Sequence, residues 1–166
     1  MRVSVDAVGN VVGCCEGAST NAGTLLIGSH LDSVPNGGRF DGMLGLVTAI
    51  ECVELLHQSG ITLSHPLKII GFGDEEGTRF NSPFIGSRGF LGGLDPVLLN
   101  LRDTEGVSLA QAIKQFGLDP AKAVQASSHS EELACYLELH IEQGPVLENE
   151  RLPVGIVSGI NGQTRA

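Results

Sequence analysis

TLLIG, residues 24–28, is a continuous apolar run of strand length, the pattern of a strand covered on both faces. Downstream, Met43, Leu46, Val47, Ile50, Val53 and Leu56 recur at three- and four-residue steps. That spacing predicts a helix with one buried stripe, stopping at Gly60. LKIIGF (67–72) predicts the next strand. Strand, helix and strand in that order argue for an α/β layer fold.

Working outward, Val3–Ala7 and Val11–Cys15 read as strands flanking Gly9-Asn10, a hairpin-turn dipeptide. Residues 77–106 are rich in Gly, Ser, Pro and Asn and predict short helical turns at most. Ser108–Phe116 reads as a helix capped by Ser108 and stopped by Gly117. Leu133–Ile141 alternates as a strand would, and Leu152–Val157 predicts another after a turn near Asn149. No internal repeat or low-complexity linker is present, and the ending GINGQTRA reads as an interruption.

The length, 166 residues, allows one domain with a full-sized core or part of a larger one. Ten Lys+Arg against 19 Asp+Glu give a formal charge of -9, which leaves no electrostatic footprint for nucleic acid or anionic lipid. No apolar run approaches the roughly 20 residues of a membrane span. MRVSVDAVGN lacks the apolar stretch of a signal peptide. Cys14, Cys15, Cys52 and Cys135 form no CxxC pair, and a bridge between adjacent Cys14 and Cys15 would be strained. They read as reduced, mostly buried thiols of a cytoplasmic protein.

Acidic and imidazole residues sit just past the predicted strand ends, where open α/β sheets place their ligand sites. His30 and Asp32 follow TLLIG, Asp74-Glu75-Glu76 follow LKIIGF, and His140 ends CYLELH beside Glu142 and Gln143. Asp41 opens the long helix after the turn Asn36-Gly37-Gly38. Two His and several carboxylates are a ligand set for Zn²⁺ or Mn²⁺, and a bridging carboxylate suits a two-metal hydrolase. Each residue alone has a plainer reading. A strand-end His is commonly a hydrogen-bonded structural residue, Asp32 a turn or cap residue, and Asp74-Glu75-Glu76 a solvated helix start. His57 reads as a helix-dipole partner, His65 and His129 as loop residues. Gly71-Phe72-Gly73 lacks the later Gly and the Lys-Ser/Thr pair of a phosphate loop.

Taken together, GSHLDSVPNGGRFDG (28–42), GDEEGTRF (73–80), GSRGFLGGL (86–94), LELHIEQGPVLE (137–148) and GIVSGINGQTR (155–165) closely resemble one family. It is the N-carbamoyl-L-amino-acid hydrolase, allantoate amidohydrolase and β-ureidopropionase group of dinuclear metallohydrolases, related to aminoacylases and carboxypeptidase G. The resemblance implies a three-layer α/β/α metallopeptidase-like catalytic domain with a mixed central sheet, here incomplete. Residues 1–157 would be its N-terminal part, and 158–166 would start the connection to a lid or dimerisation domain.

The implied roles fall on this chain's own residues. His30 and His140 would bind the first metal, Glu76 the second, and Asp41 would bridge both. Glu75 would be the general base that takes a proton from the attacking water and delivers it to the leaving nitrogen. Asp32, two residues past His30 on an extended chain, would point to the same side, accept the other imidazole N–H and fix its tautomer. Gln143 would help hold the ureido or carboxylate end of a substrate.

Two divalent ions, Mn or Zn with Co and Ni as further options, are implied with these roles. So are a small ureido substrate, a homodimer, and a place in purine or pyrimidine catabolism. The expected reaction cleaves a linear C–N bond of an N-carbamoyl-L-amino acid or allantoate, releasing ammonia and carbon dioxide. The compact GGRFDG and the HIEQGP segment favour that branch over an aminoacylase or peptidase. A non-catalytic metal-binding fragment is the reading from another class. Family members are longer and supply a last metal-ligand His beyond the lid, so this chain would hold four of five ligands and be inactive alone.

Overall fold

A computed structural model describes residues 1–19, 22–126, 132–160 and 162. Five strands form one mixed sheet in the order β1-β2-β4-β3-β5. They are β1 (Arg2–Val5), β2 (Val11–Cys15), β3 (Thr24–His30), β4 (Leu67–Phe72) and β5 (Leu133–Leu137). β2 pairs antiparallel with β1 and β4, while β3 pairs parallel with both β4 and β5. The chain therefore leaves β3 toward neighbours on either side, and the C-terminal ends of β3, β4 and β5 share one sheet edge. Such a switch point opens a crevice at the strand ends.

TLLIG is the inner strand its apolarity requires. Ile27 faces Leu67, Ile69 and the helix residues Leu46, Ala49 and Val53, whereas Leu26 faces Val12, Ile70 and Phe72. The first face is covered by α1 (Met43–Gln58), a helix where the three- and four-residue spacing puts one, but the buried stripe is Gly45, Leu46 and Ala49, while Met43, Val47 and Ile50 of the expected stripe are exposed. Gly60 closes that helix as expected: the amides of Gly60 and Ile61 return to the carbonyls of His57 and Leu56, a Schellman arrangement. The second face meets α2 (Ile85–Phe90), whose Phe90 ring stands edge-on to Phe72. Helices thus lie on both faces of the mixed sheet, as an α/β layer fold requires.

Three further helices, α3 (Pro96–Leu99), α4 (Leu109–Gln115) and α5 (Pro120–Gln125), enclose a separate core with Phe80 and Ile85. Ser108 caps α4 in a reciprocal box with Gln111. Asp95-Pro96 and Asp119-Pro120 start α3 and α5 as N-cap and first-turn proline. The Asp119-Pro120 start is legible in the sequence as an N-cap residue followed by a first-turn proline. α6 (Val146–Glu150) replaces the turn expected near Asn149.

Two strand expectations need correction. β5 ends at Leu137, because its ladder with β3 stops at Ile27–Leu137; residues 138–141 leave the sheet. Leu152–Val157 forms no strand: among the described residues no strand pairs with it, its contact being with Leu147 of α6, and Ile156 is 98% exposed. The cysteines are free, but Cys52 and Cys135 are exposed and Cys14 and Cys15 only partly buried, so mostly buried was wrong. Cys52 lies on the open side of α1 and Cys135 on β5, which among the described residues pairs on one side only. His129 lies outside the described residues. Among the described residues no helix is long and apolar enough to cross a membrane.

Candidate metal centre

His30 is the last residue of β3 and is 4% exposed. Its Nδ1 lies 2.7 Å from the backbone carbonyl of Asp32. A carbonyl only accepts, so Nδ1 carries the proton and Nε2 presents a lone pair. His140, beyond β5, repeats the device: its Nδ1 donates to the carbonyl of Ile141 at 2.9 Å. The two Nε2 atoms face each other at 3.2 Å.

Between them sits Asp41, 7% exposed, at the turn that enters α1. The turn is tight because Gly42 follows it at φ 68°; a Cβ there would run into the carbonyl and imidazole of His30. Asp41 Oδ1 lies 3.5 Å from His30 Nε2 and 3.2 Å from His140 Nε2. Oδ2 accepts the side-chain amide of Gln143 at 3.0 Å. Oδ1 itself is buried and receives no hydrogen bond. Two imidazole lone pairs and an unsatisfied carboxylate oxygen thus converge with no proton donor among them. Buried acceptors in this state are costly, and a divalent cation is one group that would satisfy all three together.

A second group adjoins the first. His30, Glu75 and Glu76 each bring one ligand atom within 4.8 Å of the others. The residue common to both groups is His30, whereas Asp41 groups with His30 and His140. Asp41 was expected to span both positions; with Oδ2 engaged by Gln143, only Oδ1 faces the imidazoles.

The loop carrying the carboxylates is fixed from both sides. Asp74 adopts a left-handed φ of 50°. The carbonyls of Gly73, Asp74 and Glu75 accept the amides of Gly86, Ile85 and Phe84 at the start of α2. The Asp32 carboxylate accepts the amides of Glu75 and Glu76 at 2.9 and 3.0 Å. This corrects the role read for Asp32. Its side chain is on the expected side, 4.0 Å from His30 Nδ1, but the backbone carbonyl takes the imidazole proton. The two carboxylate oxygens instead match two successive amides.

Burial pushes the Glu75 carboxyl above the ordinary glutamate range; His30 opposes the shift, and the charges of Glu76, Asp32 and Glu138 add to it. Asp74 is raised too, by burial and then Asp32, against Arg79. Gln143 holds Asp41, a contact that no spacing rule in the sequence announces. His57 in the last turn of α1 and His65, bonded to the Gly23 carbonyl, keep the structural roles read for them.

Comparison with known proteins bears on this geometry. Residues 26–161 match Peptidase family M20/M25/M40. The N-carbamoyl-L-amino acid amidohydrolase of Geobacillus stearothermophilus is 51% identical over 157 residues, which are 95% of this chain and 38% of that protein. Allantoate deiminase 1 of Glycine max is 42% identical, over 99% of this chain and 35% of the relative. A hydantoinase/carbamoylase family amidase from Burkholderia ambifaria, solved by crystallography, superposes with a TM-score of 0.79 at 41% identity, covering 91% of this chain and 36% of its own. The chain thus spans well under half the length of the proteins it matches. The strand-end His, Asp and Glu residues lie within the matched segment, and the chain belongs to peptidase family M20/M25/M40, among relatives named for N-carbamoyl amino acids and allantoate.

Proposed function

We propose that the chain is the metal-binding part of an amidohydrolase that cleaves a linear C–N bond of a ureido compound, an N-carbamoyl-L-amino acid or allantoate. The observation that carries the reading is the buried Asp41 Oδ1, facing two imidazole lone pairs without a hydrogen-bond donor. His30, Asp41 and His140 would hold one divalent ion, and Glu76 with His30 alongside would contribute to a second. Mn²⁺ or Zn²⁺ fits this mixture of imidazole and carboxylate. When bound, the ions supply Lewis acidity toward the carbonyl and lower the pKa of water.

The chain's own residues do the rest. Glu75, whose carboxyl burial holds above the ordinary glutamate range, takes one proton from the attacking water. The water oxygen forms the new bond to the carbamoyl carbon, the C–N bond breaks, and Glu75 returns the proton to the leaving nitrogen. Asp32 and the start of α2 keep Glu75 and Glu76 in place during that exchange. Gln143, which gives one amide hydrogen to Asp41, would offer its other amide hydrogen and its carbonyl to a carbamoyl group. Residues 1–157 would form the catalytic part, and 158–166 would lead toward a lid or dimerisation domain. A cytoplasmic homodimer follows from the same family reading.

The test grafts residues 1–166 in place of the matching segment of the Geobacillus stearothermophilus relative and measures ammonia release from N-carbamoyl-L-amino acids and allantoate. Metal-dependent release is expected, falling ~10²–10⁴-fold in Glu75→Gln with metal content unchanged. Cleavage of N-acyl amino acids or dipeptides without ureido turnover would replace this reading with an aminoacylase or peptidase.

A further inference from the structure

Asn10 enters the sequence reading only as half of a hairpin turn, yet its side chain is fully buried, at 0% exposure. A turn residue has no need of that. Its Oδ1 accepts the amide of Gly73, 3.1 Å away, at the foot of the loop that carries Glu75 and Glu76. Its Nδ2 donates to the carbonyl of Gly86 in α2 at 3.0 Å, and the amide of Gly86 donates to the carbonyl of Gly73. These three hydrogen bonds close a circuit through the hairpin, the loop and the helix. Gly86 has to be glycine for the circuit to close, since a Cβ would collide with Asn10 Oδ1 and the Gly73 carbonyl.

Asn10 is itself aimed. Asp6 accepts the backbone amides of Val8 and Asn10 through Oδ1 and the Asn10 side-chain amide through Oδ2, all between 2.8 and 2.9 Å. The donor and acceptor ends of the amide are thereby assigned: Nδ2 lies between two oxygens, and Oδ1 is left for Gly73. Together with Asp32, this means that the amides of Gly73, Glu75 and Glu76 are all taken by side-chain oxygens from other segments. The His30–Asp41–His140 group has no bond to the circuit.

We infer that Asn10, aimed by Asp6, is a positioning residue that sets the Glu75–Glu76 loop for metal binding, acting on that group and not on His30–Asp41–His140. The inference rests on the metal reading above. Changes in the outer shell of a metal site typically weaken binding about 10–100-fold, and here the loss falls on one group alone.

Isothermal titration of the 166-residue chain with Zn²⁺ tests it in two backgrounds. His140→Ala leaves binding that depends on His30 and Glu76, and Glu76→Gln leaves binding that depends on His30, Asp41 and His140. Adding Asn10→Ala is expected to weaken Zn²⁺ binding about tenfold or more in the first background and less than about threefold in the second. Equal losses in both, or none in either, would overturn the proposal, because a purely structural residue cannot choose between them. If Asn10→Ala does not fold, Asn10→Asp decides. It keeps an acceptor for Gly73 but replaces the Nδ2 donor with an oxygen facing the Asp6 carboxylate and the Gly86 carbonyl, so it should weaken Zn²⁺ binding about tenfold or more in the first background and less than about threefold in the second. A folded Asn10→Asp chain with equal losses in both backgrounds, or none in either, would also overturn the proposal. Binding to the parent chain that ignores both His140→Ala and Glu76→Gln would instead remove the metal reading itself, and Asn10's role with it.

Discussion

Two carboxylates in this molecule do the same thing in different surroundings. Asp32 accepts the successive amides of Glu75 and Glu76 beneath the strand ends, and its side chain is 23% exposed. Glu142 accepts the successive amides of Val146 and Leu147 at the start of α6, in the open. The bonds are of one length class, 2.9–3.0 Å in the first clamp and 3.0–3.1 Å in the second. Water competes for the second clamp and much less for the first, so equal geometry does not mean equal free energy. The same division runs through the whole centre. The wall built from β3 and β4 is buried and cross-braced, whereas the wall built from residues 138–150, including His140, is exposed.

The largest expected effect contrasts the two imidazoles. His30 belongs to both ligand groups and His140 to one. His30→Ala should therefore abolish measurable Zn²⁺ binding by the chain, a loss beyond the about 10–100-fold of an outer-shell change. His140→Ala should leave a weaker site dependent on His30 and Glu76. Calorimetric titration of both variants checks this, and equal losses would mean that the braced wall has no separate capacity for metal.

Next in size is the pair of clamps. Asp32→Asn puts an amide donor against one of two backbone donors, leaving a partly buried N–H without an acceptor. It should cost roughly 1.5–3 kcal/mol in urea unfolding, the range of hydrogen bonds to a charged group. Glu142→Gln makes the same chemical change where water can substitute, and should cost no more than about 0.5 kcal/mol. A Glu142 effect as large as that of Asp32 would mean that the open wall is as well packed as the braced one.

The division between the walls also explains what the sequence reveals. β3, α1 and β4 are legible because apolar runs and periods mark their type: TLLIG must be covered on both faces, and the α1 period marks a helix, although only Leu46 of its spaced residues is fully buried and Met43, Val47 and Ile50 stay exposed. Positions past strand ends bring His30, Glu75, Glu76 and His140 to notice, since the parallel strands β3, β4 and β5 gather those ends at one edge; Asp41 joins them at the helix start, and it was the family resemblance that made the five a ligand-and-base set. Side-chain oxygens that accept backbone amides leave no such trace. Asp32 was assigned to the imidazole because alternation fixes a side but not a partner. Asn10 looked like a turn because Gly-Asn is a turn wherever it occurs. Leu152–Val157 was misread for the opposite reason: an alternating apolar pattern is necessary for a half-buried strand, but pairing requires a neighbour.

That misread segment supplies the smallest effect and the cleanest contrast. Leu152, Val154 and Ile156 are 53%, 65% and 98% exposed, so their side chains bury little against the described residues. An apolar side chain contributes to stability through the area it removes from water, about 25 cal/mol per Å². Ile156 removes almost none, and Ile156→Asp in the 166-residue chain should change the unfolding free energy by less than about 0.5 kcal/mol. Ile70, at 0% exposure between the sheet and α2, is the control from the braced side, where Ile70→Ala should cost roughly 2–5 kcal/mol. Urea midpoints at matched m-values measure both. A destabilisation above about 1 kcal/mol from Ile156→Asp would show that residues 152–157 pack in solution, and the pattern of Leu152, Val154 and Ile156 would then have found its partner surface.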